Sequence, residues 1–234
     1  MGKPPRQQGR GFGRERATQS GSRERLRQEV AQLAARFLAD GEAEALGDAK
    51  RRAAERLGLW DTRDLPDNLA VMGAIVEYLR IFEADVAAGR LIHLRRVALQ
   101  AMRVLAEFEP RLVGPVLYGT AFDHTPITLH LHGDEPEAVV RRLLALRVPY
   151  RIEERSLRTS RHASEAVMTL LTVLEDTELE LLVLSRQRLP NPPLSPLDGG
   201  AYRRLDAGGL AALLESPGAG APLPDIAALA PDSW

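Results

Sequence analysis

The hydrophobic period of the sequence changes at Pro110, and this change constrains the fold more than any other feature. Before Pro110 apolar residues recur at spacings of three and four, which is typical of amphipathic helices; after it the period shifts towards the alternation of strands. Proline ends a helix because it has no backbone N–H and clashes with the preceding turn. The pattern predicts an α+β protein, with a helical domain over 22–110 followed by a small mixed-sheet domain over 111–189.

Four helices are expected before Pro110. Asp67 is a suitable N-cap for the third helix, and Gly58 a suitable end for the second. The predicted bounds, in chain order, are 22–40, 43–57, 67–89 and 91–110.

The second half is expected to form strands around one helix. Asp134 and Glu137 form a capping box with Pro136 in the first turn, which predicts a helix starting there. The predicted strands are 112–118, 127–132 and 150–153, followed by a hairpin of 167–173 and 178–184.

Both ends of the chain differ in composition from the rest. Residues 1–28 carry a net charge of +6, and the glycine-rich segment 1–21 has almost no apolar side chain, which predicts a disordered basic arm able to contact phosphates. Residues 190–234 form a Pro/Gly-rich extension. We expect this extension to be mobile and linker-like, with one short helix at about 206–214.

Composition excludes several classes of protein. The chain has no cysteine, so disulfides, thiolate metal sites and cysteine nucleophiles are excluded, and a reducing compartment is expected. No apolar run approaches the roughly 18 residues of a spanning helix, and the N-terminus lacks the apolar core of a secretory signal. These features predict a cytoplasmic protein with no membrane segment.

The segment LVGPVLYGTAFDHTPITLHLHGDEPEAVVRRLL resembles the opening of nucleotidyltransferase-fold proteins. In that family a strand ends in Gly-Ser, and the next strand carries two alternating carboxylates that bind divalent metals such as Mg²⁺. The resemblance covers about 111–185 and implies that Gly119 and Thr120 contact nucleotide. The alternating positions fall on Thr128 and His130, which are not carboxylates and would contact nucleotide instead.

A third carboxylate of this family comes from a later strand. Glu178 and Glu180 share one face of the predicted hairpin, so the resemblance implies a catalytic role for these residues. It implies a nucleotidyltransferase-like protein that lacks the usual carboxylate pair and binds nucleotide or RNA phosphate through the Gly-Thr turn and the basic arm.

The run AKRRAAERLGL, the turn that follows it and RLVGPVLYGTA are together similar to an uncharacterised bacterial family that often carries a muramate-alanine ligase name. Such a ligase holds ATP with a GxxxxGK[ST] loop. The only Gly-Lys pair here is Gly2-Lys3, followed by proline, so we expect no ligase activity.

Two other hypotheses remain open. In the first, the chain is a metal-dependent enzyme in which His130, His132 and Asp123 bind a divalent metal, with His124 and Glu180 nearby. The alternative to a metal site is that the two histidines are simply tolerated on an exposed face of the sheet. In the second, the chain is a non-catalytic scaffold whose helical half binds a protein while the arm binds RNA.

Overall fold

The computed structural model describes residues 12–59 and 65–229 and divides into two compact units, 1–71 and 72–234. The protein is α+β, with an N-terminal helical region followed by a five-stranded mixed sheet. Residues 1–11, where most of the expected basic arm falls, lie outside the described residues.

The first unit is built on two helices, α1 (Phe12–Ala39) and α2 (Leu46–Arg56). Helix α1 begins earlier than predicted, so the expected disorder is wrong for 12–21. Disorder was expected here because the stretch has few apolar side chains. Its arginine, glutamate, alanine and glutamine residues nevertheless have good helix propensity. Helix α2 buries three small residues, Ala49, Ala53 and Ala54.

Two long helices follow, α3 (Asn68–Phe82) and α4 (Ala84–Val104). The predicted cap is confirmed, because the Ala70 N–H donates to Asp67 Oδ1 at 2.7 Å. The predicted boundary at Gly89 is wrong, since the helices separate at Glu83, whose φ of −136° is not helical. A glycine tolerated inside α4 was mistaken for a terminus.

The strand expected over 112–118 is mostly wrong. Strand β1 covers only Arg111–Val113, and Gly114–Tyr118 form the short helix α5. Pro115 sits in the first turn of α5, where its missing N–H costs nothing and its fixed φ favours the helix. Consequently the Gly-Thr pair follows a helix and not a strand.

The sheet has the strand order β1-β2-β5-β4-β3. Strands β2 and β5 are parallel, and the other neighbours are antiparallel. The remaining strands are β2 (Ile127–His132), β3 (Tyr150–Arg158), β4 (Ser164–Leu174) and β5 (Thr177–Leu184), with α6 (Pro136–Ala145) between β2 and β3. The predicted bounds of β2 are confirmed, and the predicted hairpin is present as β4 and β5, although β4 begins before the predicted 167. Strand β3 is longer than the predicted 150–153.

The capping box predicted at the start of α6 is absent. Glu135 occupies the N-cap position and makes no side-chain cap hydrogen bond. Asp134 instead accepts a hydrogen bond from the Arg186 backbone N–H, with 3.3 Å between N and Oδ1. Asp134 therefore stabilises the chain at the end of β5 and does not cap α6.

The C-terminal extension is ordered against the sheet, which corrects the expectation of a mobile linker. The predicted short helix is confirmed as α7 (Ala207–Glu215), capped by Asp206, and a second short helix, α8 (Pro224–Ala227), follows. Leu210 and Ile226 are buried. Apolar side chains in a Pro/Gly-rich segment were enough to anchor it.

The segment 190–206 crosses one face of the sheet. At one edge the Leu194 N–H donates to the Arg158 carbonyl at 2.7 Å, and at the other Leu205 pairs with Leu112 through two backbone bonds of 2.8 and 3.1 Å. Between these anchors Tyr202 lies over His130, with 4.9 Å between ring centroids. Within the described residues, no helix has the length and apolar character needed to cross a membrane.

Candidate functional site

The backbone N–H groups of the Gly119-Thr120 turn already donate hydrogen bonds within the chain. The N–H groups of both residues donate to the Pro115 carbonyl, at 2.8 and 3.0 Å. Gly119 has a φ of 86° and forms the left-handed cap of α5. The two donors that a phosphate would use at this turn therefore close the end of the helix.

The same turn is covered by the C-terminal segment. A Cβ added to Gly119 would lie 2.4 Å from the Pro222 Cα, and the Leu223 N–H donates to the Tyr118 carbonyl at 3.0 Å. Thr120 is 3% exposed, and its hydroxyl has no hydrogen-bond partner among the described residues. The chain itself occupies the place where a nucleotide would approach.

Arg95 of α4 holds this covering in place. Its guanidinium is fully buried and donates to the carbonyls of Val116 (3.1 Å), Leu117 (2.9 Å) and Ala219 (2.9 Å). Burial lowers the pKa of Arg95 to about 10, so the group remains charged at neutral pH. It therefore joins α5 to the C-terminal segment through carbonyl oxygens.

Thr128 and Glu180 are brought together by the pairing of β2 with β5. They are directly opposite in the parallel pair β2–β5, and the Thr128 hydroxyl donates to Glu180 Oε2 at 3.4 Å. Glu180 also forms an ion pair of 2.6 Å with Arg155. Glu178 lies two positions earlier on the same face and is exposed. Arg155 thus neutralises the charge of Glu180.

His130 and His132 are both fully buried, so the expectation of an exposed face is wrong. Neither ring nitrogen of His130 has a hydrogen-bond partner among the described residues, whereas Nδ1 of His132 lies 3.0 Å from the Glu109 carbonyl. Burial, followed by the charges of His132 and Arg204, lowers the pKa of His130 to about 3. Burial also lowers the pKa of His132. Both rings are therefore neutral at pH 7.

Asp123 and His124 lie in the exposed loop before β2 rather than beside the histidine pair. Asp123 pairs with Arg90, which also binds Glu83 at 2.9 Å. The His124 ring stacks on Phe122, with centroids 6.3 Å apart. Over 12–59 and 65–229, no three His, Asp or Glu side chains are grouped as metal ligands, so the proposed set is not assembled.

A basic loop that the sequence interpretation passed over joins β3 to β4. We call residues 158–163 the hairpin tip; its exposed polar side chains include Arg158, Ser160, Arg161 and His162. In the described part of the chain neither arginine has an ion-pair or hydrogen-bond partner for its guanidinium. In the sequence, the run RTSRH between two segments of alternating hydrophobicity was the signal that could have indicated this basic loop.

The hairpin tip is held firmly at its base. The Thr159 and Ser160 N–H groups both donate to the Ala163 carbonyl, at 2.9 and 3.2 Å. The neighbouring Glu165 is neutralised by Arg188 through two bonds of 3.0 and 2.6 Å. The tip therefore presents unbalanced positive charge on an ordered turn.

A second basic surface lies on α4. Arg96 and Arg103 flank a shallow concavity of about 440 Å³ that is also lined by Leu99, Gln100 and Val104. Neither arginine has a side-chain partner in the part of the chain that the structure describes. Its apolar lining distinguishes this surface from the hairpin tip.

Neither a protein-family model nor a curated protein matches the sequence.

Proposed function

We propose that this chain is a non-catalytic module that binds the phosphates of single-stranded RNA through the hairpin tip. The supporting observation is the pair of exposed, unpartnered guanidinium groups of Arg158 and Arg161 on an ordered loop. Guanidinium groups bind phosphate bidentately, and Ser160 and His162 add further donors.

The chemistry of the tip favours a polyanion over a protein partner. The sequence of the tip is RTSRHA, which contains no Phe, Tyr or Trp and no large aliphatic side chain. Protein interfaces depend on buried aromatic or aliphatic anchors, whereas phosphate contacts require only donors and charge. Without Phe, Tyr or Trp at this loop, base stacking is limited to His162, so the proposed binding depends mainly on charge and little on base sequence.

A binding role is favoured over phosphoryl transfer because of the residues on β2. Its alternating polar positions carry Thr128 and His130, neither of which supplies the carboxylate pair that would hold Mg²⁺. Glu180 is neutralised by Arg155, and the Gly119-Thr120 turn is covered by Pro222. Each of these contacts opposes the metal and nucleotide sites that the sequence resemblance implies.

The proposal is tested by fluorescence anisotropy with a labelled single-stranded RNA over a series of salt concentrations. The double variant Arg158→Gln/Arg161→Gln is expected to weaken binding and to reduce the salt slope by about 1.4, since each single-strand phosphate contact contributes roughly 0.7. The matched control is Arg80→Gln, which removes an exposed, unpartnered arginine from α3 and is expected to leave the slope unchanged.

Other outcomes would overturn the proposal. If Arg96→Gln/Arg103→Gln weakens RNA binding while the tip variant does not, the RNA-binding surface lies on α4. If wild-type protein binds no RNA at low salt, a phosphate-binding role is excluded. If ATP with Mg²⁺ raises the melting temperature and Thr120→Arg abolishes the effect, the nucleotide site lies at the Gly-Thr turn.

A further inference from the structure

The two edges of the five-stranded sheet differ in how the chain covers them. Strand β1 lies at one edge and is paired with Leu205 through the two backbone bonds to Leu112. Strand β3 lies at the opposite edge, where the segment 190–206 bonds to the carbonyl of its last residue, Arg158. The rest of β3 is an open strand edge, and such an edge presents N–H and C=O groups that can pair with another strand.

The outward-facing backbone groups of β3 can be identified by alternation. Residues of an edge strand direct their N–H and C=O groups in turn towards the neighbouring strand and away from it. The Pro149 carbonyl faces β4, because it accepts a bond of 2.7 Å from the Thr172 hydroxyl, whereas the Arg158 carbonyl faces outward to the Leu194 N–H. The outward-facing residues before Ser156 are therefore Tyr150, Ile152 and Glu154. Among the described residues, nothing bonds to their outward N–H and C=O groups.

The side chains of β3 carry charge on one face of the sheet and an apolar group on the other. Arg151 and Glu153 share a face and form an ion pair of 2.8 Å. Ile152 lies on the opposite face and is 54% exposed. Charges along an edge strand deter pairing with other strands wherever like charges come to lie opposite one another.

Most ways of pairing β3 with a copy of itself oppose like charges. In an antiparallel pair, outward-facing residues lie opposite outward-facing residues, so a two-fold axis between identical strands passes through a residue. An axis at a charged residue places it opposite its own copy, which excludes Arg151, Glu153, Glu154 and Arg155. An axis nearer Arg158 needs the edge that Leu194 occupies, and an axis at Tyr150 reaches past the start of the strand.

The axis that remains passes through Ile152 and brings opposite charges together. Arg151 of each copy then lies opposite Glu153 of the other, and Tyr150 lies opposite Glu154. The two exposed Ile152 side chains cover one another at the axis, and aliphatic and opposite-charge pairs of this kind stabilise a sheet. The order of charges along β3 is thus complementary to itself in this one register.

We propose that the β3 edge binds a second copy of this chain, with residues 150–154 of the two copies paired antiparallel about a two-fold axis at Ile152. A peptide of unrelated sequence would satisfy the free backbone groups without matching the order of charges. The dimer is independent of the proposed RNA binding, because the hairpin tip lies outside the paired segment.

A cysteine placed on the axis tests the register, since the chain has no cysteine of its own. Oxidation of the full-length Ile152→Cys variant is expected to give a disulfide-linked dimer, because the two Cα atoms would lie about 5.5 Å apart, within the span of a disulfide. The matched control is Ser156→Cys, exposed on the same edge, whose two copies would lie roughly 27 Å apart and are not expected to cross-link. Equal cross-linking of the two variants, or a cross-link in neither, would overturn the proposal.

Sedimentation equilibrium over a range of concentrations tests the charge pairs. Wild-type protein is expected to show a monomer–dimer equilibrium. Arg151→Glu and Glu153→Arg are each expected to raise the dissociation constant about tenfold, because each places like charges opposite one another twice, whereas the double exchange restores the wild-type value.

The matched control for these charge reversals is Arg36→Glu, which also removes an exposed ion pair, with Asp40 of α1, and is expected to leave the dissociation constant unchanged. Circular dichroism and thermal melting establish that each variant is folded. A wild type that is monomeric at every concentration would contradict the dimer, and a double exchange as weak as the single reversals would contradict its register.

Discussion

Gly119 meets two structural requirements at once, and neither involves a ligand. Its φ of 86° lies in the left-handed region, and its missing Cβ leaves room for the backbone of Ala221 and Pro222. The sequence resemblance implies that this glycine contacts nucleotide. The positive φ of the helix cap and its close contact with another segment are sufficient to require glycine at this position without a ligand.

Gly119→Ala is expected to destabilise the protein by more than about 2 kcal/mol, because the strain of positive φ adds to overlap with Pro222. The matched control is Gly199→Ala, which has a φ of 72° but no atom within 4 Å of the added Cβ. It is expected to cost about 1 kcal/mol, from strain alone. Urea unfolding measures both; equal losses would show that the contact with Pro222 is unimportant.

Because His130 is buried, the free energy of unfolding is expected to fall in acid. Burial lowers its folded-state pKa to about 3 from an ordinary value of 6.5, so the unfolded chain binds the proton more tightly than the folded protein. The contribution of His130 to stability is complete above about pH 6.5 and is lost as the pH falls from there towards 3. The slope approaches about 1.4 kcal/mol per pH unit for one proton.

Urea unfolding between pH 7.5 and 4.5 tests this dependence. His130→Phe is expected to flatten the curve, leaving the smaller contribution of His132, since a ring of similar size remains against Tyr202 without a titrating group. His93→Phe replaces an exposed histidine of α4 and is expected to keep the wild-type slope. Identical slopes for the wild type and His130→Phe would mean that His130 does not govern the acid response.

At the scale of elements, the sequence predicted β2, the β4–β5 hairpin and α7 because period and end signals agreed there. It failed at 112–118, where a short apolar run fits either a strand or a helix and Pro115 decides for the helix. It also failed for the C-terminal extension, whose order depends on contacts with residues about a hundred positions away. The burial of His130 was missed for the same reason, since Tyr202 covers it.

Arg95→Leu tests how the C-terminal extension is held. The substitution leaves the carbonyls of Val116, Leu117 and Ala219 without their donor and is expected to cost roughly 3–5 kcal/mol. Hydrogen exchange of the Leu223 N–H is expected to accelerate, because its bond to Tyr118 depends on the same segment. Arg96→Leu changes the exposed neighbour and is expected to alter stability by less than about 0.5 kcal/mol; slow exchange at Leu223 in Arg95→Leu would contradict this role.

For the molecule as a whole, the described surfaces favour binding over catalysis. The turn that resembles a nucleotide site is closed by Pro222, and the two histidines of β2 are buried and neutral. Among the described residues, exposed arginines without a side-chain partner lie on the hairpin tip and on α4. We therefore expect the protein to act through its surface, with RNA phosphate at the tip.

Hydrogen exchange followed by mass spectrometry, with and without a single-stranded RNA, tests this account most directly. It predicts slower exchange confined to peptides that cover 156–164, diminishing as salt is raised. Slower exchange at 119–128, with the tip unchanged, would place the ligand at the Gly-Thr turn and contradict the account; no change in any peptide would exclude RNA binding.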